Sequence, residues 1–262
     1  MTGQEMVTYL RENILDDAVV PYSWTDAELL RNLNYAEVQA CRRGHLIIDA
    51  TTVDDNGTAA TAGTLGQKPL CVLSIIANRA VYNLSPKILQ VRRIQLMSMS
   101  YALPGPKMYP EVDELLYDWW GTAGTLGTSG TYSTAGTSGT VSVSGTGGHP
   151  DFWLNEPGNT ITFVRAPSQN DVAALIVSRI PLTPFTLTTS PEIEEKYHEG
   201  LMDWAAHLAF RKPMEKTINL NLAKYYEDQF IAQFGQLPDA YRERMVRTLA
   251  QNQRMRPRVF GS

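Results

Sequence analysis

A chain of 262 residues, 43% of them hydrophobic and with a formal charge of −4, can bury a real core as one large or two small domains. Its longest uncharged stretch outside the repetitive runs, Pro69 to Asn78, is far too short to cross a bilayer, and the opening MTGQEMVTYLRE has no apolar signal core, so neither a membrane nor a classical secretion role is expected. Cys41 and Cys71 offer neither a disulfide framework nor a CxxC pair and read as buried packing residues in a reducing compartment.

Val7, Leu10 and Ile14 mark one face of a short first helix that ends at the polar turn before Pro21. Thr25 and Glu28 then form a T-x-x-E capping box, and Leu29, Leu33, Ala36 and Ala40 follow on one face of a second helix, expected to pair antiparallel with the first. Beyond Arg43 the pattern turns strand-like: HLIIDATTV, LCVLSII, RAVYNL and KILQVRRIQLMSMSY, then, after an interruption, TITFVRAP and AALIVSRIPL, each closed by a proline that a strand centre would not tolerate. Between the two groups, Met108 to Trp120 reads as a short helix or turn.

The last third is helical. Ser190 is placed to cap a helix with Pro191 at its first position and Glu192, Glu194 and Glu195 at the positive end of the dipole. Tyr197, Leu201, Trp204 and Leu208 continue it at i, i+4, i+7 and i+11, and Lys212 and Pro213 break it. Ile218, Leu222, Tyr226 and Phe230 mark the inward stripe of the next helix, which ends at Gly235. A final helix is expected from Pro238 to about Asn252, leaving RMRPRVFGS as an arm.

Two runs of G-T-x triplets interrupt this order, GTAATAGTL from Gly57 to Leu65 and a longer one from Gly121 to Gly147. Of the 28 residues from Gly121 to Gly148, 22 are Gly, Thr or Ser and none is charged, so the run cannot bury enough apolar surface to offset its ordering entropy alone. Their shared G-T-A and G-T-L units suggest two insertions lying close in space. Without them the pattern is α+β: N-terminal helices (1–45) and C-terminal helices (189–253) form one helical bundle, an antiparallel β domain (46–188), sandwich or barrel-like, is inserted into it with Gly/Thr-rich insertions at 57–67 and 121–148, and a C-terminal arm (254–262) follows.

Chemistry is hard to find along the chain. His198 and His207, nine residues apart, fall on opposite sides of a helix, and with His45 and His149 they form no metal-ligand spacing. The three aspartates of Asp49 to Gly57 lack the spacing of a calcium loop and read as a solvated turn. Gly66-Gln67-Lys68 is followed by proline and makes no phosphate loop; there is no nucleophile elbow, and Glu111, Asp113 and Glu114 read as a solvated helix face. No catalytic residue, cofactor or metal is assigned, and an enzyme is not expected. Trp119, Trp120, Phe152 and Trp153 flank the long insertion, either anchoring its ends in the core or forming a stacking platform for sugars, as in a carbohydrate-binding or host-attachment module, or for bases. From Tyr241 to Ser262 six arginines face Glu243 alone, a net of +5 that leaves −9 for the rest, which suits docking onto an acidic partner or contact with nucleic acid.

The opening VTYLRENILDDAVVPYSWTDAELLRNLNYAEVQACRRGHLIID resembles the start of head-tail adaptor (connector) proteins of tailed bacteriophages, in which an acidic turn, P-Y-x-W-[ST]-D and E-L-L-x-x-L-N-x-A precede a β region. The resemblance continues in YNLSPKILQVRRIQL, in VDELLYDWW leading to GHPDFW, in TITFVRAPSQNDVAALIVSRIPL and in SPEIEEKYHEGLMDWAAHLAF, over roughly three quarters of the chain. It departs where the triplet run separates Trp120 from Gly148. The resemblance implies a structural virion protein made in the host cytoplasm: a ring of about twelve copies at the neck, joining the portal to a tail or nozzle protein and passing genomic DNA through its lumen, with no membrane partner. Arg242, Arg244, Arg247, Arg254, Arg256, Arg258 and Phe260 would then contact the portal or neighbouring subunits, and Gly121, Thr125, Thr131, Tyr132 and Thr137 would contact a neighbouring subunit or adjoining ring.

Overall fold

A computed structural model describes residues 1–54, 68–107, 112, 149–156, 159–213 and 218–237. These divide into two compact units, Met1–Ile48 with Ser178–Pro238, and Asp49–Val177.

The first unit is helical: α1 (Gly3–Tyr9), a π-helical turn (Leu10–Ile14), α2 (Asp26–Gly44), a 3-10 turn (Glu195–Tyr197), α3 (His198–Phe210) and α4 (Leu220–Phe234). A capping box of Thr2 and Glu5 opens α1. Leu15 N–H donates to Leu10 C=O at 2.8 Å, one residue beyond the α-helical spacing, so the buried position after Leu10 passes to Leu15 and Ile14 is only half-buried. In α2 the box of Thr25 and Glu28 forms as the spacing predicts, and Leu29, Leu33, Ala36 and Ala40 are all fully buried.

The third helix departs from expectation. Ser190 does not cap it and Pro191 does not open it; α3 starts at His198. The amides that a helix over 190–194 would direct along its own axis are used elsewhere, since Glu192 N–H and Ile193 N–H donate to the Glu37 carboxylate on α2. From Leu201 to Phe210 only Asp203 and Leu208 escape full burial, because α3 packs against both α2 and α4. Gly200 permits the approach of α4: a Cβ there would lie 1.8 Å from Gln233 Oε1 and 2.6 Å from Phe234 Cε2.

Asn219 caps α4 by accepting Leu222 N–H, and Gly235 ends it at φ 84°. Its buried residues are Ala223, Phe230 and Phe234, whereas Ile218 and Leu222, expected inside, are 48% and 40% exposed. Ile218 lies before the Asn219 cap, outside the helix, and steps of four residues advance about 400°, so the stripe from Leu222 to Phe230 drifts by about 80° and only its last member is fully buried.

Seven strands are described: β1 (Ile47–Asp49), β2 (Val72–Ile75), β3 (Val81–Asn83), β4 (Ile88–Leu96), β5 (Phe152–Glu156), β6 (Thr160–Val164) and β7 (Asp171–Arg179). One sheet runs β1-β7-β2, with β4 also on β7; the other runs β3-β6-β5. Val72 pairs antiparallel with Ala174, Val81 with Thr162 and Trp153 with Phe163. Among the described residues both sheets are open, so the chain is α+β with antiparallel sheets and the barrel alternative is set aside.

β5 is a strand that sequence patterning missed. Trp153 is fully buried in it, and Leu154 packs with Val112 and Val164. The stems of the two insertions border this sheet. Leu70 N–H donates to Val53 C=O and Cys71 N–H to Thr52 C=O, closing the first stem, whose Pro69 C=O accepts Ser85 N–H just past β3. The same stem continues into the other sheet, since Cys71 C=O accepts Leu175 N–H on β7. Trp153 N–H donates to Pro104 C=O and Lys107 N–H to Trp153 C=O, which puts the second stem beside β5. The expected proximity of the two triplet runs falls on residues outside those described. The triplet runs themselves lie outside the described residues, as does the segment 238–262.

Asp49 corrects a further expectation. It is buried and accepts hydrogen bonds from the backbone N–H groups of Thr51 and Thr52 and from both hydroxyls, so it organises its turn from within.

Candidate functional site

None of the residues singled out from the sequence as contacts falls among those described: Arg242, Arg244, Arg247, Arg254, Arg256, Arg258 and Phe260, and Gly121, Thr125, Thr131, Tyr132 and Thr137, all lie outside, as do Trp119 and Trp120. Trp153 is fully buried and presents no face to a ligand, in keeping with an anchoring role. His198 and His207 serve the core. Ile193 C=O can only accept, so His198 carries its proton on Nε2 (3.1 Å) and leaves Nδ1 to the Met1 amine at 3.2 Å; burial lowers its pKa and favours this neutral form. His207 Nδ1–H reaches Ala223 C=O at 2.8 Å, joining α3 to α4. No group of three or more potential metal ligands occurs among the described residues.

The helical unit contains two buried polar centres. In the first, Arg11 on the π turn is 6% exposed. It donates to Asp17 at 2.9 Å, to Asp26 at 2.7 Å and to Trp24 C=O at 2.6 Å, and its guanidinium lies 4.0 Å from the centroid of the Tyr22 ring. Asp17 also accepts Ser23 N–H and Trp24 N–H, while Trp24 Nε1–H donates to Ala209 C=O on α3. The acidic turn and the P-Y-x-W-T-D motif thus form a clamp that fixes the entry of α2, with Val19 and Val20 exposed at its tip.

In the second centre, Glu37 is 1% exposed, and its Oε1 accepts Glu192 N–H at 2.6 Å and Ile193 N–H at 3.3 Å. Burial pushes its carboxyl up to about 7, against the two hydrogen bonds that favour the ion. Glu192 pairs with buried Arg179 and accepts Leu182 N–H at 3.0 Å. Burial, with Glu37 adding to it, also drives the Cys41 thiol far up, leaving it unreactive. Sequence reading passed over Glu37, although its position between Leu33 and Ala40 on the buried stripe of α2 was the signal.

The outer surface has a different character. Tyr9 closing α1, Leu222 and Tyr225 on α4, and Glu199 on α3 are exposed, with Asp203 and Tyr226 half-buried beside them. Nothing in this arrangement forms a nucleophile, an acid–base pair or a phosphate cradle. Buried polar groups hold the scaffold, and the exposed apolar, aromatic and charged groups are of the kind that contact other macromolecules.

The profile of the SU10 adaptor protein family matches residues 1–257. The chain belongs to the SU10 adaptor protein family. No curated protein matches it. Membership makes it a bacteriophage adaptor, a structural protein of the virion that assembles with other phage structural proteins. The match covers the helical elements, the strands, both triplet runs and five of the six arginines of the C-terminal segment, all but Arg258. In this adaptor no helix among the described residues is long and apolar enough to cross a membrane.

Proposed function

We propose that the chain is a head-tail adaptor: a ring of about twelve copies at the neck that joins the portal to the tail or nozzle and passes genomic DNA through its lumen. The observation that carries this reading is the match to an adaptor family along almost the whole chain, with one strongly basic segment on an otherwise acidic body. An acidic lumen lets DNA slide without sticking, and a basic segment grips an acidic neighbour. Contacts through Arg242 to Phe260 and through the triplet run at 121–148 fit this assembly role.

The test is assembly. Purified full-length protein, alone and with the portal of the same phage, is imaged by electron microscopy. Closed rings stacked coaxially on the portal are expected; a chain that stays monomeric and ignores the portal at high concentration refutes the reading.

A further inference from the structure

The first half of α4 carries an apolar face that one chain leaves uncovered: Leu222 is 40% exposed and Tyr225 54%. Tyr226, edge-on to Tyr225 at 5.2 Å and stacked on Phe210 at 5.8 Å, lies within electrostatic reach of Tyr9 and of Asp203. Tyr226, with Tyr9 and Tyr225 around it, therefore lies near a carboxylate on α3.

Asp203 is half-buried and has neither a hydrogen bond nor an ion pair among the described residues. The charge that acts on it is a second carboxylate, Glu199, one helical turn earlier. A like-charge pair at i, i+4 is repulsive, and a desolvated carboxylate without a donor costs stability. Burial and Glu199 raise the Asp203 carboxyl to about 6. What relieves both defects is a planar cation, which stacks on tyrosine rings and forks onto a carboxylate.

The chain itself contains a segment of that chemistry. In 241–252, Tyr241, Met245 and Leu249 recur at i, i+4 and i+8, with Arg242, Arg244 and Arg247 between them. Such a stripe matches Leu222 and Tyr225 while its arginines match Glu199 and Asp203, and the net +5 of Tyr241 to Ser262 against −9 elsewhere favours the encounter. The face is uncovered among the described residues, and the self-assembly of the ring reading makes a second copy the source of the segment.

We propose that the face formed by Tyr9, Glu199, Asp203, Leu222, Tyr225 and Tyr226 receives the arginine-bearing segment 241–252 of a second copy of the chain. This deepens the ring reading and rests on its self-assembly.

Two full-length variants test it, Tyr225→Cys and Arg247→Cys, mixed and oxidised; a disulfide between them can only join two chains, since each carries one partner, and native Cys41 and Cys71 are buried. A covalent pair on a non-reducing gel is expected from the mixture and not from either variant alone. In parallel, Glu199→Lys/Asp203→Lys should weaken self-association, read by analytical ultracentrifugation, by about tenfold or more. Mixing it with Arg242→Glu/Arg244→Glu/Arg247→Glu should restore assembly. If the wild type assembles but no cross-link forms and the reversed-charge variant assembles as well as wild type, the proposal is overturned while the ring reading stands. If the wild type does not self-associate even with the portal present, both fall.

Discussion

Replacing Glu37 by glutamine isolates the energetic cost of a buried carboxylate. The amide oxygen of Glu37→Gln can accept the same two N–H groups of Glu192 and Ile193, so the turn into α3 keeps its support, but the side chain no longer titrates. In the wild type the carboxyl rises from an ordinary 4.5 to about 7 because of burial. Below pH 4.5 it is protonated in both folded and unfolded chains and contributes no pH dependence. Between 4.5 and 7 the unfolded chain releases the proton and the folded one keeps it, so stability falls as pH rises; above 7 the full cost persists. At 1.36 kcal/mol per pKa unit the loss amounts to about 3 kcal/mol. Urea unfolding of both proteins at pH 4, 5, 6, 7 and 8, followed by tryptophan fluorescence, gives the difference directly, because shared titrations cancel. The variant should gain about 3 kcal/mol on the wild type between pH 4 and 8. Parallel profiles would mean that Glu37 ionises normally in the folded state, and the argument from burial would fail.

Three further substitutions probe the scaffold. Arg11→Met leaves Asp17 buried without its cation and should cost about 3–5 kcal/mol in urea unfolding; a loss below about 1 kcal/mol would show that water reaches the clamp. Gly200→Ala forces a methyl group onto Gln233 and buried Phe234 and should lower thermal stability by about 1–3 kcal/mol, despite the better helix propensity of alanine. Trp153→Ala empties the core under β5 and should cost about 3–5 kcal/mol, measured by calorimetry; an unchanged transition would contradict its full burial.

Local signals were legible wherever local energetics decided the outcome. The Thr25–Glu28 box and the stripe Leu29, Leu33, Ala36, Ala40 form as read, because a cap and an apolar face both lie within a few residues of chain. The start of α3 was misread because its competitor is distant: Glu37, 155 residues before Glu192, takes the amides that the Ser190 cap would have organised. The π turn escaped notice because its extra residue is visible only in a backbone hydrogen bond, and β5 because Phe152 and Trp153 had already been accounted for as anchors. The arginine-rich segment stood out by composition alone. Asp203 did not, since a single acid in a helix attracts attention only once its surroundings show that nothing among the described residues neutralises it.

The placement of the two insertion stems has a practical consequence. The second takes up hydrogen bonds that β5, an outer strand of the β3-β6-β5 sheet, would otherwise offer to a stranger, so that edge has little invitation to recruit a strand from another molecule. The ladders beside Pro69 and Lys107 also set strand register upstream and downstream of the interruptions, independently of what is spliced between them. The chain thereby comes with two ready-made splice points for epitopes or fluorescent labels.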